Sequence, residues 1–320
     1  MAARPKVVVA GSANTDFVVR VPQIPAAGET VLGDNFFTAH GGKGANQAVA
    51  AARLGAEVTL IARLGPDELG ETSLEAYRQE GINTTYVSRD PWEPSGVALI
   101  MVSQAGENII AVAPGANARL SPADIKAAEI AIREADCLLL QLEVPLETVE
   151  AALRLARQHG VRTILNPAPA APLSPELLNL VDVLTPNESE ARRLLAPESG
   201  SIPAGSESGE VTGEWLASRL LSRSGARSLV ITLGSKGALV ASPESIETVP
   251  AFPVNAVDTT AAGDAFNGAL AARLAEGAAL QEAVRFANAA GALAATIEGA
   301  QPSLPERARL EAFLASVPGG

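Results

Sequence analysis

The chain has 320 residues, of which 47% are hydrophobic, 19% charged and 3% aromatic, a composition typical of a soluble globular protein and not of a disordered or fibrous chain. The formal net charge is -12 and the sequence contains no cluster of Lys and Arg. A nucleic-acid partner is therefore excluded, because phosphate backbones are bound by such clusters. The length allows one large α/β domain or two ordinary ones.

The single cysteine, Cys137, lies in the apolar run 137–140 and has no second cysteine with which to form a disulfide. We expect it to be a small buried hydrophobe in a reducing compartment. The apolar stretch 7–10 is too short for the core of a signal peptide, and no later run reaches the roughly 18 residues that span a bilayer. We expect a cytoplasmic protein without a membrane or nucleic-acid partner.

The first apolar run, Lys6–Ala10, is β-branched and stops at Gly11, which predicts a buried strand that ends in a loop. Two later stretches, 17–38 and 95–112, show alternation, turn residues and no helical period. Together they predict a small accessory sheet, and 96–102 is its clearest strand.

Elsewhere the predicted strands alternate with predicted helices. In chain order we predict a helix at 46–54, a strand at 58–62, a helix at 69–80, a strand at 137–142, a helix at 146–159, strands at 162–165 and 181–184, a helix at 215–224, a strand at 229–232, and helices from Ala265 and Leu280. Near-continuous apolar strands between helices predict a mostly parallel sheet covered on both faces, with ligands beyond the carboxyl ends of its strands. The aperiodic stretch 196–213 predicts a surface insertion.

The segment Ala261–Gly268 opens a predicted helix and contains Gly263 and Asp264. A small, Gly-containing helix start presents unpaired N–H groups and the positive end of the helix dipole to an anion. An Asp at this place is suited to take a proton from a hydroxyl that attacks a bound phosphoryl group. The alternative is that Asp264 is an ordinary first-turn acid favoured by the dipole.

The segment Gly41–Gln47 has three glycines in four positions around Lys43. Glycine lets the backbone approach a small polar ligand, so the N–H groups, Lys43 and Asn46 predict hydrogen bonds to sugar hydroxyls. The spacing is not that of a Walker P-loop, because Lys43 is followed by Gly44 and Phe37 stands where the first glycine should be. The alternative is a flexible turn with a solvated lysine.

Two further segments follow predicted strands. In Thr185–Glu190, Asn187 and Glu190 can share one face of a helix start and hold a hydrated Mg²⁺ near phosphates, or else form a capping arrangement. Thr232–Gly237 can receive a nucleotide or form a simple hairpin.

Single polar residues also lie at predicted strand ends: Asn14, Asp16 and Glu143. In contrast, His40 and His159 need no catalytic role, and the sequence has no Cys/His metal cluster, no G-x-S-x-G elbow and no intact G-x-G-x-x-G fingerprint. The sequence therefore lacks the residues that hydrolase and dehydrogenase chemistry would need.

Taken in order, these segments resemble the ribokinase group of the PfkB carbohydrate kinase family, which also includes fructokinases and adenosine kinase. The match is colinear from Val7 to about Phe313, and its most specific parts are Gly42–Asn46 and Asp258–Asp264. The resemblance implies a ribokinase-like α/β fold, doubly wound around a mostly parallel sheet. It also implies one kinase domain over 1–320, with a β lid formed by about 15–40 and 95–112.

The activity implied by the resemblance is ATP-dependent phosphorylation of D-ribose at the 5-hydroxyl, with Mg²⁺ or another divalent cation, K⁺ as a monovalent activator, and a homodimer joined through the lids. Deoxyribose, fructose or a nucleoside remain alternative acceptors, and a non-catalytic sugar-binding regulator is a further alternative.

The site residues implied by the resemblance fall into four groups. The general base would be Asp264, with the N–H groups of Ala262, Gly263 and Asp264 as an anion hole. Sugar binding would involve Ser12, Asn14, Asp16, Gly41, Gly42, Lys43, Gly44, Asn46, Glu143 and Asp264, with Ala98 and Ile100 closing from the lid. Nucleotide and Mg²⁺ binding would involve Asn187, Glu190, Thr232, Gly234, Ser235, Lys236, Gly237, Gly263 and Asn288. The monovalent cation would contact Asp258, Thr260, Ala294, Ile297, Gly299 and Ser303.

Two departures from the family pattern stand out. Ala261 occupies a position where the wider family often has Gly, and 196–213 is longer than usual. The second departure affects the nucleotide-side loop and the oligomer contacts, not the chemistry.

Overall fold

A computed structural model describes residues 4–195 and 212–317. Its strands are β1 (Lys6–Ala10), β2 (Asn14–Val21), β3 (Asn35–Gly41), β4 (Glu57–Leu64), β5 (Asn83–Arg89), β6 (Gly96–Ser103), β7 (Asn108–Ala113), β8 (Cys137–Leu140), β9 (Arg162–Leu165), β10 (Val183–Leu184), β11 (Ser228–Thr232), β12 (Ala238–Ala241) and β13 (Ile246–Val249).

The described helices surround these strands. They are α1 (Lys43–Arg53), α2 (Glu68–Gln79), α3 (Pro122–Ala127), α4 (Glu129–Arg133), α5 (Leu146–His159), α6 (Pro175–Leu178), α7 (Glu188–Leu195), α8 (Gly213–Ser224), α9 (Ala262–Ala275), α10 (Leu280–Ala294) and α11 (Arg307–Ser316), with 3₁₀ turns at Gly115–Arg119, Gly234–Lys236 and Gln301–Ser303. Among the described helices none is long and apolar enough to cross a membrane.

The large sheet has nine strands in the order β13-β12-β11-β10-β9-β8-β1-β4-β5. All of its pairs are parallel except β11 with β12 and β12 with β13. Its central strands are fully buried apolar runs, as strands covered on both faces require. The prediction of a mostly parallel α/β sheet is confirmed.

Two hydrophobic layers lie on opposite faces of this sheet. Val7 and Val9 of β1 pack with α1, α9 and α10, whereas Val8 and Ala10 pack with α5 and α8. This division follows from the alternation of side chains along a strand. Since the helices cover both faces, the open edge for a ligand is the edge where the parallel strands end.

A separate four-stranded sheet, called the small sheet below, has the order β3-β2-β6-β7. It confirms the predicted accessory sheet. Its strands run from Asn14 to Gly41 and from Gly96 to Ala113, slightly beyond the predicted 17–38 and 95–112.

Predicted bounds were wrong at α1, α9 and β8, and also at β4, which ends at Leu64 and not at 62, and at β10, which begins at Val183 and not at 181. Helix α1 begins at Lys43 and not near Asn46, because the first-turn N–H groups find acceptors elsewhere in the fold: Lys43 N donates to Glu143 Oε2, and Ala45 N donates to the Ser12 carbonyl at 2.8 Å. Helix α9 begins at Ala262 and not at Ala265, since Ala261 adopts a left-handed conformation with φ 58° that starts the helix early. Strand β8 ends at Leu140, two residues before the predicted end.

The predicted surface insertion at 196–213 lies, up to residue 211, outside the described residues. Thr212 accepts a hydrogen bond from Trp215 N at 3.2 Å and thereby caps α8, which begins at Gly213. The helix prediction for 215–224 is confirmed apart from this two-residue extension.

Candidate active site

Polar groups meet where β1 and β8 end and α1 begins. Ser12 Oγ donates to Glu143 Oε2 at 2.5 Å, and the same carboxylate oxygen accepts Lys43 N at 3.0 Å. Ser12 Oγ in turn accepts Gly44 N at 3.3 Å. A Cβ on Gly44 would lie 2.6 Å from the Ser12 backbone, so only glycine permits this contact. The predicted sugar-side residues therefore hold the start of α1 against the sheet.

Asp16 lies on β2 next to this junction and is 9% exposed. A Cβ on Gly41 of the paired strand would lie 2.3 Å from both oxygens of the Asp16 carboxylate, so the glycine makes room for the acid. Burial first, and then the negative charges of Glu143 and Asp264, raise the pKa of Asp16 to about 7. A carboxyl group in this state can both donate a hydrogen bond to a hydroxyl group and accept one from it.

Asn14 is held by a residue that sequence reasoning missed. Asn117 Nδ2 donates to Asn14 Oδ1 at 2.7 Å and to the Ala13 carbonyl at 3.1 Å, while Asn117 Oδ1 accepts Ala13 N at 2.9 Å. Asn117 lies in the 3₁₀ turn after β7 and is buried. All these side-chain hydrogen bonds reach residues more than 100 positions away, so no local spacing could reveal this role.

The small sheet forms one wall of a cavity of about 430 Å³. Parallel pairing of β2 with β6 places Ala98 beside Asp16 and Ile100 beside Val18, and Ile100 lines the cavity with Asp16. The opposite wall consists of the segments 256–260 and 298–300. Ile100 thus faces the space where a small ligand would contact Asp16, whereas Ala98, which is buried on the same face of β6, does not line the cavity.

Asp264 lies in the first turn of α9 and is 7% exposed. Asn46 Nδ2 donates to Asp264 Oδ2 at 2.9 Å, and Gln47 Nε2 donates to Asp264 Oδ1 at 2.9 Å. Helix geometry leaves the N–H groups of Gly263 and Asp264 without intrahelical partners. In contrast, Ala262 N donates to the Thr259 carbonyl at 3.2 Å, so this N–H is already engaged, contrary to the free anion-hole donor expected from the sequence.

Asp264 also lines a second cavity, of about 210 Å³, together with Lys43, Asn187, Glu190 and Gly263. Burial opposes the charge of Lys43, but the carboxylates of Asp264, Glu143 and Glu190 outweigh it, and the pKa of Lys43 is raised. Burial raises the pKa of Glu190. Lys43 is therefore a cation in the combined field of these three carboxylates, of which Asp264 and Glu190 line the same cavity as Lys43.

The whole chain matches known proteins of one class. Residues 4–307 match the sequence profile of the pfkB family carbohydrate kinases. The chain is 44% identical to the ribokinase of Haemophilus influenzae over 97% of this chain and 99% of that one. The chain belongs to the pfkB family.

Two further pfkB-type proteins bear on the acceptor. A solved structure of Arabidopsis thaliana ribokinase complexed with ribose and ATP superposes with a TM-score of 0.86 at 32% identity, covering 98% of this chain and 100% of that one. The deoxyribokinase of Salmonella typhi is 37% identical over 96% of this chain and 98% of that protein.

On the proposed nucleotide side of this pfkB-family chain, Asn187 and Glu190 form a reciprocal capping box. Asn187 N donates to Glu190 Oε2 at 2.8 Å, and Glu190 N donates to Asn187 Oδ1 at 2.9 Å. The capping alternative is thus realised, while both residues also line the smaller cavity with Thr232. The two interpretations are compatible because capping occupies only one carboxylate oxygen.

The other residues expected at the nucleotide lie further away. Gly234, Ser235 and Lys236 form a 3₁₀ turn that joins β11 to the antiparallel β12, so the hairpin alternative also holds, and Gly237 follows with φ 102°. Asn288 directs its amide at the carbonyls of Val249 and Pro250, at 3.0 and 3.1 Å. Neither the turn nor Asn288 lines the cavity of about 210 Å³.

The residues expected to hold a monovalent cation lie in the segments 258–260 and 294–303. Asp258 Oδ1 accepts Thr260 N and Asp258 Oδ2 accepts Gly299 N, both at 2.9 Å. Ser303 Oγ donates to the Ala300 carbonyl at 2.7 Å. Asp258, Thr260 and Gly299 line the larger cavity, whereas Ala294, Ile297 and Ser303 do not. The donor set is all oxygen, which suits a hard cation.

Proposed function

We propose that this protein transfers the γ-phosphoryl group of ATP to the 5-hydroxyl of D-ribose, with Asp264 as the general base. The observation that carries the proposal is the position of Asp264. This buried carboxylate is fixed by two amide donors at a helix N-terminus, and it borders the smaller cavity with Asn187 and Glu190 while Asp16 borders the larger one. The ribokinase relatives, including the one solved with ribose and ATP, support the same acceptor and donor.

The proposed mechanism assigns a task to each side of the site. Asp16 and Asn14 accept and donate hydrogen bonds to the sugar hydroxyls, and Ala98 and Ile100 close over the ring. Asp264 takes the proton of the attacking hydroxyl. The N–H groups of Gly263 and Asp264 and the positive end of α9 stabilise negative charge that develops on the transferred group.

Deoxyribose is the second candidate acceptor, because the similarity to the Salmonella deoxyribokinase is nearly as extensive. The two sugars differ by one hydroxyl. A site whose buried polar groups pair with that hydroxyl discriminates strongly against the analogue that lacks it. Asp16 and Asn14 are such groups, which favours ribose.

The proposal also includes binding sites for Mg²⁺ and K⁺. Among residues 4–195 and 212–317, no group of three or more His, Cys, Asp or Glu side chains could hold a metal ion alone. Mg²⁺ is commonly bound through one or two carboxylates, waters and substrate phosphates, and Glu190 has one carboxylate oxygen outside the capping box for this purpose. K⁺ is proposed at Asp258, with Thr260, Ala294, Ile297, Gly299 and Ser303 as further oxygen donors.

We further propose a single kinase domain over 1–320 in which the small sheet acts as the lid, and a cytoplasmic homodimer joined through the lids. The outer face of the small sheet supports the dimer, since it exposes apolar side chains of which Phe36 is 60%, Leu99 58% and Ile109 48% exposed. Such a face is typical of protein interfaces. Light scattering on Leu99→Glu, compared with the wild type, tests it: a mass that stays dimeric would argue against this interface.

The test of the activity is Asp264→Asn in a coupled assay of ADP release with ribose, deoxyribose and Mg-ATP, with and without K⁺. We expect kcat to fall about 10²- to 10⁴-fold, because general-base catalysis contributes about that much, while calorimetry still detects ATP binding. A wild type that releases no ADP with either sugar, or an Asp264→Asn enzyme within a few-fold of wild type, would contradict the proposal.

A further inference from the structure

A chain of buried amide side chains lies beneath Asp264 at the carboxyl ends of β8 and β9. Gln141 Nε2 donates to Gln47 Oε1 at 2.6 Å. Gln47 Nε2 then donates both to Asp264 Oδ1 at 2.9 Å and to Asn166 Oδ1 at 3.1 Å. Asn166 Nδ2 continues to the Thr185 carbonyl at 3.1 Å. Gln47 and Gln141 are both fully buried, with 0% exposure.

The donor and acceptor directions of the hydrogen bonds between these amides and the carboxylate follow from Asp264. An ionised carboxylate only accepts hydrogen bonds, so the amide group that faces it must present nitrogen. With Gln47 Nε2 turned toward Asp264, Gln47 Oε1 must face the other way, where Gln141 supplies the donor. Asp264 therefore selects the orientation of the Gln47 amide, and Gln141, which does not touch Asp264 itself, supplies the donor that this orientation requires.

Two glycines allow this arrangement. A Cβ on Gly268 of α9 would lie 2.5 Å from Ala50 Cβ and 2.7 Å from the Gln47 carbonyl, so its absence brings α1 and α9 close enough for Gln47 to reach Asp264. A Cβ on Gly11 would lie 2.0 Å from Gln141 Oε1. The space that Gly11 leaves holds the Gln141 amide against Gln47.

Stability alone does not account for an amide at position 141. Gln141 Oε1 is buried without a hydrogen-bond partner in the described part of the chain. A buried polar atom left unpaired destabilises a fold, whereas an apolar side chain of similar shape carries no such penalty. The Gln141 amide therefore destabilises the fold relative to an apolar side chain of similar shape. Its one donor contact is with Gln47.

We infer that Gln47 and Gln141 are positioning residues that fix the orientation of the Asp264 carboxylate, an inference that rests on the proposed role of Asp264 as the general base. Gln47 holds Oδ1 while Asn46 holds Oδ2, so the carboxylate plane cannot rotate. Gln141 acts only through Gln47. Reaction geometry is sensitive to such orientation, because a small misplacement of a reacting group slows a reaction greatly.

The test is a double-mutant cycle on the full chain with Gln47→Met, Gln141→Met and both together. Gln47→Met is expected to lower kcat with ribose about 10- to 100-fold, as loss of a hydrogen bond to a charged group predicts, with the KM for ATP unchanged within about twofold. Gln141→Met is expected to lower kcat about three- to tenfold. In the Gln47→Met background, Gln141→Met should have no further effect beyond about twofold.

Thr148→Val is the matched control, since Thr148 is buried and donates to the Leu120 carbonyl at 2.7 Å in another part of the fold. It should alter unfolding but not kcat. If the Gln141→Met effect persists in the Gln47→Met background, or if folded Gln47→Met keeps kcat within twofold of wild type, the inference is overturned.

A readout without turnover separates this inference from the proposed function. The side-chain amide signal of Gln47, assigned in ¹⁵N spectra by its loss in Gln47→Met, should move in Gln141→Met and in Asp264→Asn, but not in Thr148→Val. If Gln47→Met does not fold, selective glutamine labelling with Gln141→Met and Asp264→Asn still reports the coupling. Unmoved signals overturn the inference, whereas an inactive wild type with moving signals overturns only the proposed kinase activity.

Discussion

Replacing Asp16 by Asn should stabilise the sugar-free protein, and the gain should grow as the pH rises. Burial, followed by the charges of Glu143 and Asp264, raises the pKa of Asp16 from its ordinary value of 3.8 to about 7. The folded protein thus keeps a proton on Asp16 that the unfolded chain releases at lower pH. An amide at this position carries no charge in either state.

The sign and size of this pH-dependent change in the free energy of unfolding follow from proton linkage. Between pH 3.8 and about 7 the folded state binds more protons at Asp16 than the unfolded state, so the free energy of unfolding falls as pH rises through this window. The full interval corresponds to about 4 kcal/mol, at about 1.4 kcal/mol for each pH unit. Below the window both states are protonated at Asp16, and above it both are ionised, so the dependence disappears at either end.

Urea unfolding of wild type and Asp16→Asn, followed by circular dichroism between about pH 5 and pH 8, measures this directly. The stability of Asp16→Asn relative to wild type should increase by about 2 to 3 kcal/mol over that range. Asp34→Asn, which removes an exposed carboxylate of the same type, controls for the substitution. A difference that stays constant with pH, or one that shrinks as pH rises, would refute the reasoning.

Three further substitutions test the site. Gly41→Ala places a methyl group 2.3 Å from the Asp16 oxygens, so the KM for ribose should rise at least about tenfold while the KM for ATP stays within about twofold in steady-state assays. Asn117→Leu removes the hydrogen bonds to Ala13 and Asn14, so urea unfolding should show a loss of about 2 to 4 kcal/mol together with weaker ribose binding by calorimetry. A Cβ on Gly263 meets no atom within 4 Å, so Gly263→Ala should keep the unfolding free energy, yet lower kcat by obstructing the phosphoryl site; an unchanged kcat would count against the proposed anion hole.

The strand and helix alternation was predictable where burial dictates the residues. Residues 7–10 and 137–140 are apolar and buried on both faces, as a covered central strand requires. Strand β5 was missed because Asn83–Arg89 is an edge strand whose side chains are mostly polar and partly exposed. The early start of α1 was missed because its first-turn N–H groups are satisfied by residues far along the chain: Glu143 accepts Lys43 N, and Ser12 accepts Gly44 N and Ala45 N.

The candidate site was predictable to the extent that local chain geometry produces it. Asp264 and the glycines at 41–44 stand in segments whose composition indicates a helix start or a close backbone approach. Asn117, Gln141 and Asn166 carry no such signal, because a buried amide has no preferred spacing and its partners are set by tertiary contact. Such residues become visible only when the strand ends are brought together.

The negative charge of the site explains where its hydrogen-bond donors and its lysine lie. Glu143, Glu190 and Asp264 all act on the ammonium group of Lys43, and the whole chain carries a formal charge of -12. A triphosphate would add negative charge to a site where burial, and then neighbouring carboxylates, already raise the pKa of both Asp16 and Glu190. The negative charge of the triphosphate must then be neutralised by the cation bound to it, by Lys43 and by backbone N–H groups at the start of α9. None of these requires a basic protein surface. An acidic protein can therefore be specific for an anionic nucleotide, because the attraction is confined to the few positions where phosphoryl transfer would take place.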